Sequence, residues 1–398
     1  MGNSNLPFHY SESNGNCWPT AEQQLLLRAC LLNETEALQA WNEWQQHFES
    51  GSTDAANRRL FPALYSNLTK QKITGPLIDR FKEEYNRAWV HNQFAFNRAA
   101  KIISCFQQAG IATILLKGSG LILTFYEDAG LRPMADIDVL VRRADASSSI
   151  CLLESLGWIS KYKDPFALIP FENADEFTDH TNQKLDLHWR VLWEGNQKST
   201  DEDFWDASIP AQIGEVETRT LSASDHLLHV CVHGAKWNDT SPIRWVIDAM
   251  KILTSESFEV DWIRVLRQSR ERRLSLPMRD TLTYLFDTLA APVPPEVLRE
   301  LHNEPTSMRE RQFYKIRLEP NNALKTIPVT WHWLECLVIE CRGNVFQRLS
   351  QFMKYLQSLW ALDRLRDVPL HFVGRIRRRL YELLEWRFSN RWNPSKGK

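Results

Sequence analysis

The first hundred residues space their apolar positions as α-helices do. Thr20, followed three residues later by Gln23, is typical of a capped helix start, and apolar residues then recur three or four positions apart. A second apolar stripe lies in the segment that ends at Gly110 and comprises Phe96, Ala99, Ile103 and Phe106. The pattern predicts a mostly helical start to the chain.

From Ile111 the chain changes to short apolar runs separated by turn residues. The runs predict strands in IATILL, DIDVLVRR, GWISKYK and KLDLHWRVLW, and short helices in GSGLILTFYEDAG and ADASSSICLLESLG. Beyond Thr220 the spacing is again helical. We therefore expect an α+β core at 93–220 between helical regions at 1–92 and 221–398.

Composition narrows the class of protein. The 398 residues are 43% hydrophobic, enough for a packed core, and 48 Lys and Arg against 49 Asp and Glu leave a net charge of -1. This balance excludes a global field that would draw the chain to nucleic acid or an anionic membrane. Seven scattered cysteines without a CxxC spacing, no leader pattern and no apolar run near the length of a membrane span favour a cytoplasmic protein with free thiols.

Two carboxylates interrupt an otherwise apolar predicted strand. In ADIDVLV, Asp136 and Asp138 share one face, while Ile137, Val139 and Val141 share the other. Such a pair resists joint ionisation unless a cation lies between the two groups, and oxygen ligands suit Mg²⁺. The alternative is a solvated sheet edge without a metal.

Residues on both sides of this strand favour the metal. In LLKGSGLIL, Gly118 and Ser119 lie at a strand-to-helix corner, where free N–H groups attract phosphate and Lys117 adds charge, although a glycine there also serves the turn. In LDLHWR, Asp186 and His188 share a face. If the two strands are neighbours, Asp186 completes a two-metal site for phosphoryl or nucleotidyl transfer.

The order of these motifs resembles the nucleotidyltransferase fold shared with DNA polymerase beta. More narrowly, LLKGSGLIL, FYEDAGLRPMADIDVLV, LDLHWR, LSASDHLLHVCVHGAKW and IRWVIDAM resemble the bacterial family of uncharacterised nucleotidyltransferases, over roughly residues 20–300. The resemblance implies a polymerase-beta-like α+β core flanked by helices. It also implies that Asp136 and Asp138 are shared metal ligands, with Asp186 as the third ligand and the base.

The same resemblance implies a phosphate-binding region. Gly118 and Ser119 would form the phosphate-binding turn, with Lys117 and Arg132 as candidates for contacts to the triphosphate. Sixteen residues separate Ser119 from Asp136, more than in compact members of the superfamily, so we expect the intervening loop to shape the site differently.

Several histidines admit more than one function. His226, His229 and His233 fall on one stripe of a probable helix, where zinc ligation, the wall of a substrate pocket and a hydrogen-bonded structural stripe are the alternatives, the last being favoured. His188 could contact phosphate or, more ordinarily, hydrogen-bond a carboxylate or carbonyl. His180, just before that strand, has the same two alternatives.

Two further charged features have ordinary structural interpretations. Asp248 is expected to pair with Arg244, four residues earlier on a helix. From Arg364 to Lys398, ten basic residues face three acidic ones and could attract RNA. Apolar residues at helical spacing favour instead a basic amphipathic helix packed on the body, namely Leu380, Leu383, Leu384 and Trp386.

Taken together, the sequence predicts a Mg²⁺-dependent enzyme, with two ions, that transfers AMP from ATP to an unidentified small molecule, protein or RNA and releases pyrophosphate. One alternative is a catalytically silent member that binds nucleotide or a partner protein. Another is an RNA-binding protein that acts through the basic C-terminal segment.

Overall fold

The computed structural model describes residues 17–48, 54–126, 128–193, 201–238, 240–318 and 343–389, together with 333, 334, 336 and 341. The helices are α1 (Ala21–Leu31), α2 (Glu34–His47), α3 (Ala55–Arg58), α4 (Phe61–Lys70), α5 (Pro76–Gln108), α6 (Lys117–Phe125), α7 (Ala146–Ser155), α8 (Glu202–Ala207), α9 (Ala223–Gly234), α10 (Arg244–Leu253), α11 (Trp262–Glu271), α12 (Ser275–Leu289), α13 (Pro295–Asn303), α14 (Met308–Leu318), α15 (Val345–Leu359) and α16 (Val368–Ser389). The strands are β1 (Thr113–Leu115), β2 (Ile137–Val141), β3 (Ile159–Ser160), β4 (Ala174–Thr178), β5 (Lys184–His188), β6 (Ile209–Ile213) and β7 (Val216–Thr220).

The strands form one mixed sheet in the order β3-β4-β5-β2-β1-β7-β6. β2 runs parallel to β5 and antiparallel to β1, so it lies in the middle of the sheet. Asp138 is the register partner of Asp186, and Leu140 is the partner of His188. The two acid-bearing strands are therefore neighbours, as the argument for a third carboxylate required.

Two hydrophobic clusters cover the two faces of the sheet. Ile137, Val139 and Val141 pack with the second half of α5 and with α7 and α15. Leu140 packs on the other face with the N-terminal helices and with α9–α13. All five residues of β2 are buried, because side chains that alternate along a central strand meet helices on both sides. The fold is thus the expected α+β sheet with helical segments on either side.

The N-terminal helices follow the local signals in the sequence. Thr20 and Gln23 form the expected capping box of α1, and Gly110 follows α5 with a φ of 73°, in the left-handed region that favours glycine. The expected boundary at residue 92 falls inside α5, which continues from Pro76 to Gln108. The division into three regions remains a prediction.

Three strands were not predicted. β4 carries Asp175 and Glu176, and acidic residues are uncommon in strands. Asp175 is nevertheless buried, because the Ser160 hydroxyl on the neighbouring strand donates to its carboxylate at 2.6 Å. β6 and β7 form a hairpin whose turn contains Gly214 at a φ of 61°.

Within the C-terminal basic segment, Val368–Ser389 form the helix α16. The structure describes the backbone but not the side chains at Leu380, Leu383, Leu384 and Trp386, so their packing on the body remains untested. All seven cysteines are free thiols, as expected. Within the described residues, the helices are too short or too polar to cross a bilayer.

Candidate active site

Asp138 and Asp186 lie side by side at the centre of the candidate site. Parallel pairing of β2 with β5 places both side chains on the same face of the sheet. Asp138 is 2% exposed, whereas the Asp186 side chain is 22% exposed. One oxygen of Asp138, one oxygen of Asp186 and a ring nitrogen of His188 all lie within 4.8 Å of one another.

Lys117, the first residue of α6, supplies a positive charge between the two carboxylates. Its Nζ lies 2.5 Å from Oδ1 of Asp138 and 3.8 Å from Oδ2 of Asp186. The backbone of Lys117 has a φ of 42°, in the left-handed region, and such a conformation costs about 1–3 kcal/mol for a non-glycine residue. The fold therefore maintains backbone strain where Lys117 meets the acid pair.

His188 holds Asp138 from the other side. Its Nε2 lies 3.0 Å from Oδ1 of Asp138, and its Nδ1 lies 3.4 Å from Nδ2 of Asn173. Burial, reinforced by the charge of Lys117, lowers the pKa of His188, so the ring is neutral and donates its Nε2 proton to Asp138. The carboxylate interaction is the more ordinary of the two functions considered for His188.

The two central carboxylates differ in their pKa values. Burial alone would raise the pKa of Asp138, but Lys117 and the hydrogen bond from His188 hold it well below its usual range. Burial and the nearby Asp138 charge raise the pKa of Asp186 to about 7. One acid is therefore firmly ionised, and the other loses its proton near neutral pH.

Asp136 lies one residue before β2 and, like Lys117 and Asp138, lines a cavity that is described below. Burial and the charge of Asp138 raise the pKa of Asp136 as well. It does not belong to the compact group of potential ligand atoms, which among the described residues comprises Asp138, Asp186 and His188. Asp136 as a metal ligand remains a prediction.

The donor set fits a divalent cation. Asp138 and Asp186 offer oxygen ligands, the kind that Mg²⁺ prefers. The pKa of Asp186 is raised first by burial and then by the charge of Asp138, and a cation would favour its ionised form. His188 already orients Asp138 through its Nε2 proton, as a hydrogen-bond partner of a metal ligand does. Asp138 and Asp186 are thus the residues that would hold the metal.

The two residues of the expected phosphate-binding turn, Gly118 and Ser119, have different environments at the start of α6. Gly118 lines the cavity, and a Cβ there would lie 2.6 Å from Nη1 of Arg132. Ser119 is 1% exposed, and its hydroxyl donates to the Leu116 carbonyl at 3.0 Å. Gly118 therefore faces the site, while the Ser119 hydroxyl is engaged within its own helix and its contact with phosphate remains a prediction.

The loop between α6 and β2 forms one wall of the site, and the fully buried Asn92 on α5 anchors it. Nδ2 of Asn92 donates to the carbonyls of Ala129 at 2.6 Å and of Arg132 at 2.8 Å. Its Oδ1 accepts from the Met134 N–H at 3.3 Å. The long loop between Ser119 and Asp136 is thus an ordered wall of the site. Nothing in the sequence indicated that Asn92 anchors it.

Asp248 pairs with Arg132 and not with Arg244, which corrects the expected helix-surface pair. Nε and Nη2 of Arg132 donate to the two oxygens of Asp248 at 2.7 and 2.8 Å, and the Tyr126 hydroxyl donates to Oδ1 at 2.6 Å. Nη1 of Arg244 donates instead to the Pro133 carbonyl at 2.6 Å. Arg132 lines the cavity, but much of its charge is balanced by Asp248.

These elements enclose a cavity of about 300 Å³. The start of α6, the loop before β2, and the facing parts of α9 and α10 line it, and Arg59, in the turn after α3, reaches it from the N-terminal region. Arg59 and Arg244 were not among the predicted site residues. Arg244 belongs to the IRWVIDAM motif, whereas nothing in the sequence indicated Arg59.

The three histidines on α9 do not all lie in the same environment. Nε2 of His226 lies 2.9 Å from the Thr220 hydroxyl, which agrees with the favoured structural interpretation. His229 and His233 line the cavity, and their function as the wall of a substrate pocket remains a prediction. Among the described residues, the stripe contributes no member to a group that could hold a metal ion.

A mixed sheet with an acid pair on adjacent central strands, next to a glycine at a helix start, is the arrangement expected of a nucleotidyltransferase. Residues 53–290 match the model of the family described as uncharacterised nucleotidyltransferase. The match covers more than half of the chain, and the chain belongs to that family. The protein is therefore a nucleotidyltransferase with the fold that its motif order indicated.

Other comparisons gave more distant similarities. The lincosamide antibiotic adenylyltransferase LnuA, solved with lincomycin, is 16% identical with a TM-score of 0.29, over 39% of this chain and 93% of that chain. An antigenic nucleotidyltransferase-like protein from Paracoccidioides brasiliensis is 11% identical with a TM-score of 0.33, over 54% of this chain and 94% of that chain. No curated protein matches the sequence.

Proposed function

We propose that the protein uses Mg²⁺ to transfer a nucleoside monophosphate, AMP from ATP, to a hydroxyl group of an acceptor. The acceptor class is a small molecule, a protein or RNA. The observation that carries the proposal is the pairing of Asp138 with Asp186 beside the start of α6. The free thiols are consistent with a reaction in the cytoplasm.

The proposed reaction forms one bond and breaks another at the α-phosphorus. The acceptor oxygen bonds to the α-phosphorus, and the bond from that phosphorus to the oxygen bridging to the β-phosphorus breaks. Pyrophosphate leaves with the bonding electrons, and the hydroxyl proton passes to a base. Bound Mg²⁺ would neutralise charge on the phosphate oxygens and lower the pKa of the attacking hydroxyl.

The two central acids would have different functions. Asp138, whose pKa is well below its usual range, stays ionised as a ligand, and His188 fixes its orientation. Asp186, whose side chain is the more exposed of the two, would accept the hydroxyl proton. This assignment rests on exposure and position, because a bound cation would itself lower the pKa of Asp186.

The start of α6 would bind the phosphates. Its first turn contains no acidic residue, so no side chain of the helix itself opposes the positive end of the helix dipole. Gly118 lets Arg132 lie close to the helix start, because a Cβ there would be only 2.6 Å from Nη1 of Arg132. When metal replaces its ion pair with the acids, Lys117 would be able to contact phosphate oxygens.

The proposal can be tested by incubating the purified protein with each labelled NTP, Mg²⁺ and a cell extract. Pyrophosphate release and labelled products are followed together. Asp138→Asn should reduce the rate by at least about a hundredfold, because it removes the ionised ligand. Asp287→Asn, at an exposed position on α12, is the matched control and should retain wild-type activity.

Equal background release by the wild type and Asp138→Asn, with all four nucleotides and with Mn²⁺ as well as Mg²⁺, would refute the proposal. That result would favour a silent, nucleotide-binding protein. The ion pair of Lys117 with Asp138 is the observation that favours this second candidate, since an internal cation there substitutes for a metal.

A further inference from the structure

The charges on the cavity wall do not all find partners within the protein. The lining contains four cationic residues, namely Arg59, Lys117, Arg132 and Arg244, and three carboxylates, namely Asp136, Asp138 and Asp248. Lys117 pairs with Asp138, and Arg132 pairs with Asp248. Within the described residues, Arg59, Arg244 and Asp136 form no ion pair, so four cations against three carboxylates leave a surplus of one positive charge on this wall.

Arg244 is held firmly at the α10 end of the cavity. The hydrogen bond from its Nη1 to the Pro133 carbonyl fixes the half-buried guanidinium. Burial and the nearby charge of Arg132 lower the pKa of Arg244 to about 10. Arg244 forms no direct ion pair with any described residue, although the charge of Asp248 acts on it from a distance, so a bound anion would give this guanidinium a direct partner.

The start of α10 adds to the positive potential. Arg244 is the first residue of this ten-residue helix, whose first turn contains no acidic residue. Pro242, Arg244 and Trp245 all line the cavity, so the positive end of the helix dipole faces it. The α6 start faces the same cavity from the side of the acid pair.

His229 provides an independent sign of a ligand. The residue is only 4% exposed, and what remains accessible lines the cavity. Neither ring nitrogen has a hydrogen-bond partner anywhere in the described part of the chain. Its ring nitrogens remain accessible from the cavity, so an acceptor atom there would gain a hydrogen bond from this side chain.

We propose that the α10 end of the cavity is an anion subsite in which Arg59, His229 and Arg244 bind a phosphate-class group. The group has two possible sources: the terminal phosphates of the nucleotide, or an anionic acceptor. The identity of the anion rests on the proposed function, whereas the subsite itself rests on the residues that line it.

The probe is inorganic pyrophosphate, titrated calorimetrically into the full chain in the presence of EDTA. Arg244→Gln should weaken binding about tenfold to a hundredfold, and Arg59→Gln about threefold to tenfold, because hydrogen bonds between charged groups are lost. Arg58→Gln is the matched control, because Arg58 precedes Arg59 in the chain but lies 3.7 Å from Glu84. Its affinity should equal that of the wild type.

Folding and charge are controlled separately. Arg59 is exposed, so Arg59→Gln should fold normally, and Arg244→Lys should recover part of the affinity by retaining the charge. Added salt should weaken pyrophosphate binding to the wild type. Absence of pyrophosphate binding by the wild type, or equal affinity of the wild type, Arg59→Gln and Arg244→Gln, would overturn the proposal.

Titrations with ATP and AMP distinguish the two sources. If the subsite binds the terminal phosphates, Arg244→Gln weakens ATP binding more than AMP binding. If it binds an anionic acceptor, ATP affinity is unchanged, and pyrophosphate still binds when ATP is present. Nucleotidyl transfer without a pyrophosphate subsite would refute this inference alone, and a pyrophosphate subsite without transfer would refute the proposed function alone.

Discussion

Replacing Asp186 with asparagine should change how the stability of the metal-free protein depends on pH. In the folded protein the pKa of Asp186 is raised from its ordinary value of 3.8 to about 7 by burial and by Asp138. The folded state therefore retains a proton that the unfolded chain releases. Because the folded state binds more protons, the free energy of unfolding falls as pH rises between about 4 and about 7.

The size of the effect follows from the difference between the two pKa values. At 1.36 kcal/mol per pKa unit, the difference corresponds to about 4 kcal/mol, which is an upper figure because Asp186 titrates together with its neighbours. Asparagine has nearly the same shape but no charge to desolvate. Between pH 4 and pH 8, the stability of Asp186→Asn relative to the wild type should therefore increase by about 2–4 kcal/mol.

The measurement is urea unfolding of both proteins at several pH values with EDTA present. Asp287→Asn, at an exposed position, controls for loss of an acidic charge and should follow the wild type. Mg²⁺ at a hundredfold excess over its dissociation constant should stabilise the wild type at pH 8 by about 2.7 kcal/mol and the variant by much less. Parallel pH profiles for the wild type and Asp186→Asn would refute the reasoning.

Three further substitutions test the surroundings of the acid pair. Asn92→Ala removes three hydrogen bonds to the loop and should lower the free energy of unfolding by about 2–4 kcal/mol in urea; a loss below about 1 kcal/mol would contradict its function as an anchor. Gly118→Ala should displace Arg132 and lower nucleotide affinity at least about tenfold in a titration, whereas Gly374→Ala, with open space around it, should not. Asp248→Asn leaves the buried Arg132 without a carboxylate and should cost about 3–5 kcal/mol of stability by the same unfolding assay; a wild-type unfolding curve would show that the pair is not needed.

The predictable parts of the fold are those whose signals are local. A capping residue and apolar spacing place the start of α1, and alternation along β2 separates Asp138 from Val139. The sequence could not establish that β2 and β5 are neighbours, because alternation fixes the face on which a side chain lies but not which strand lies beside it. In the structure β2 and β5 pair in parallel, which places Asp186 beside Asp138.

Features that depend on distant partners could not be predicted. A local rule joined Asp248 to Arg244, but a helix-surface pair contributes only about 0.2–0.5 kcal/mol. Arg132, 116 residues away along the chain, forms two hydrogen bonds with Asp248 in a buried setting and takes its place. β4 was not predicted for a related reason. Asp175 and Glu176 disfavour a strand by their residue type, and the contacts that accommodate them come from the neighbouring strands.

The acid pair itself shows how the fold accommodates a site that opposes its stability. A carboxylate at the buried position of Asp138 is tolerated because Lys117 and His188 compensate its charge, and the left-handed backbone at Lys117 is part of that arrangement. The same partners do less for Asp186, because Lys117 lies farther from it and its pKa remains raised. The metal-free protein therefore balances one of its two central acids and leaves the other poorly compensated, and this uncompensated charge is what a cation would stabilise.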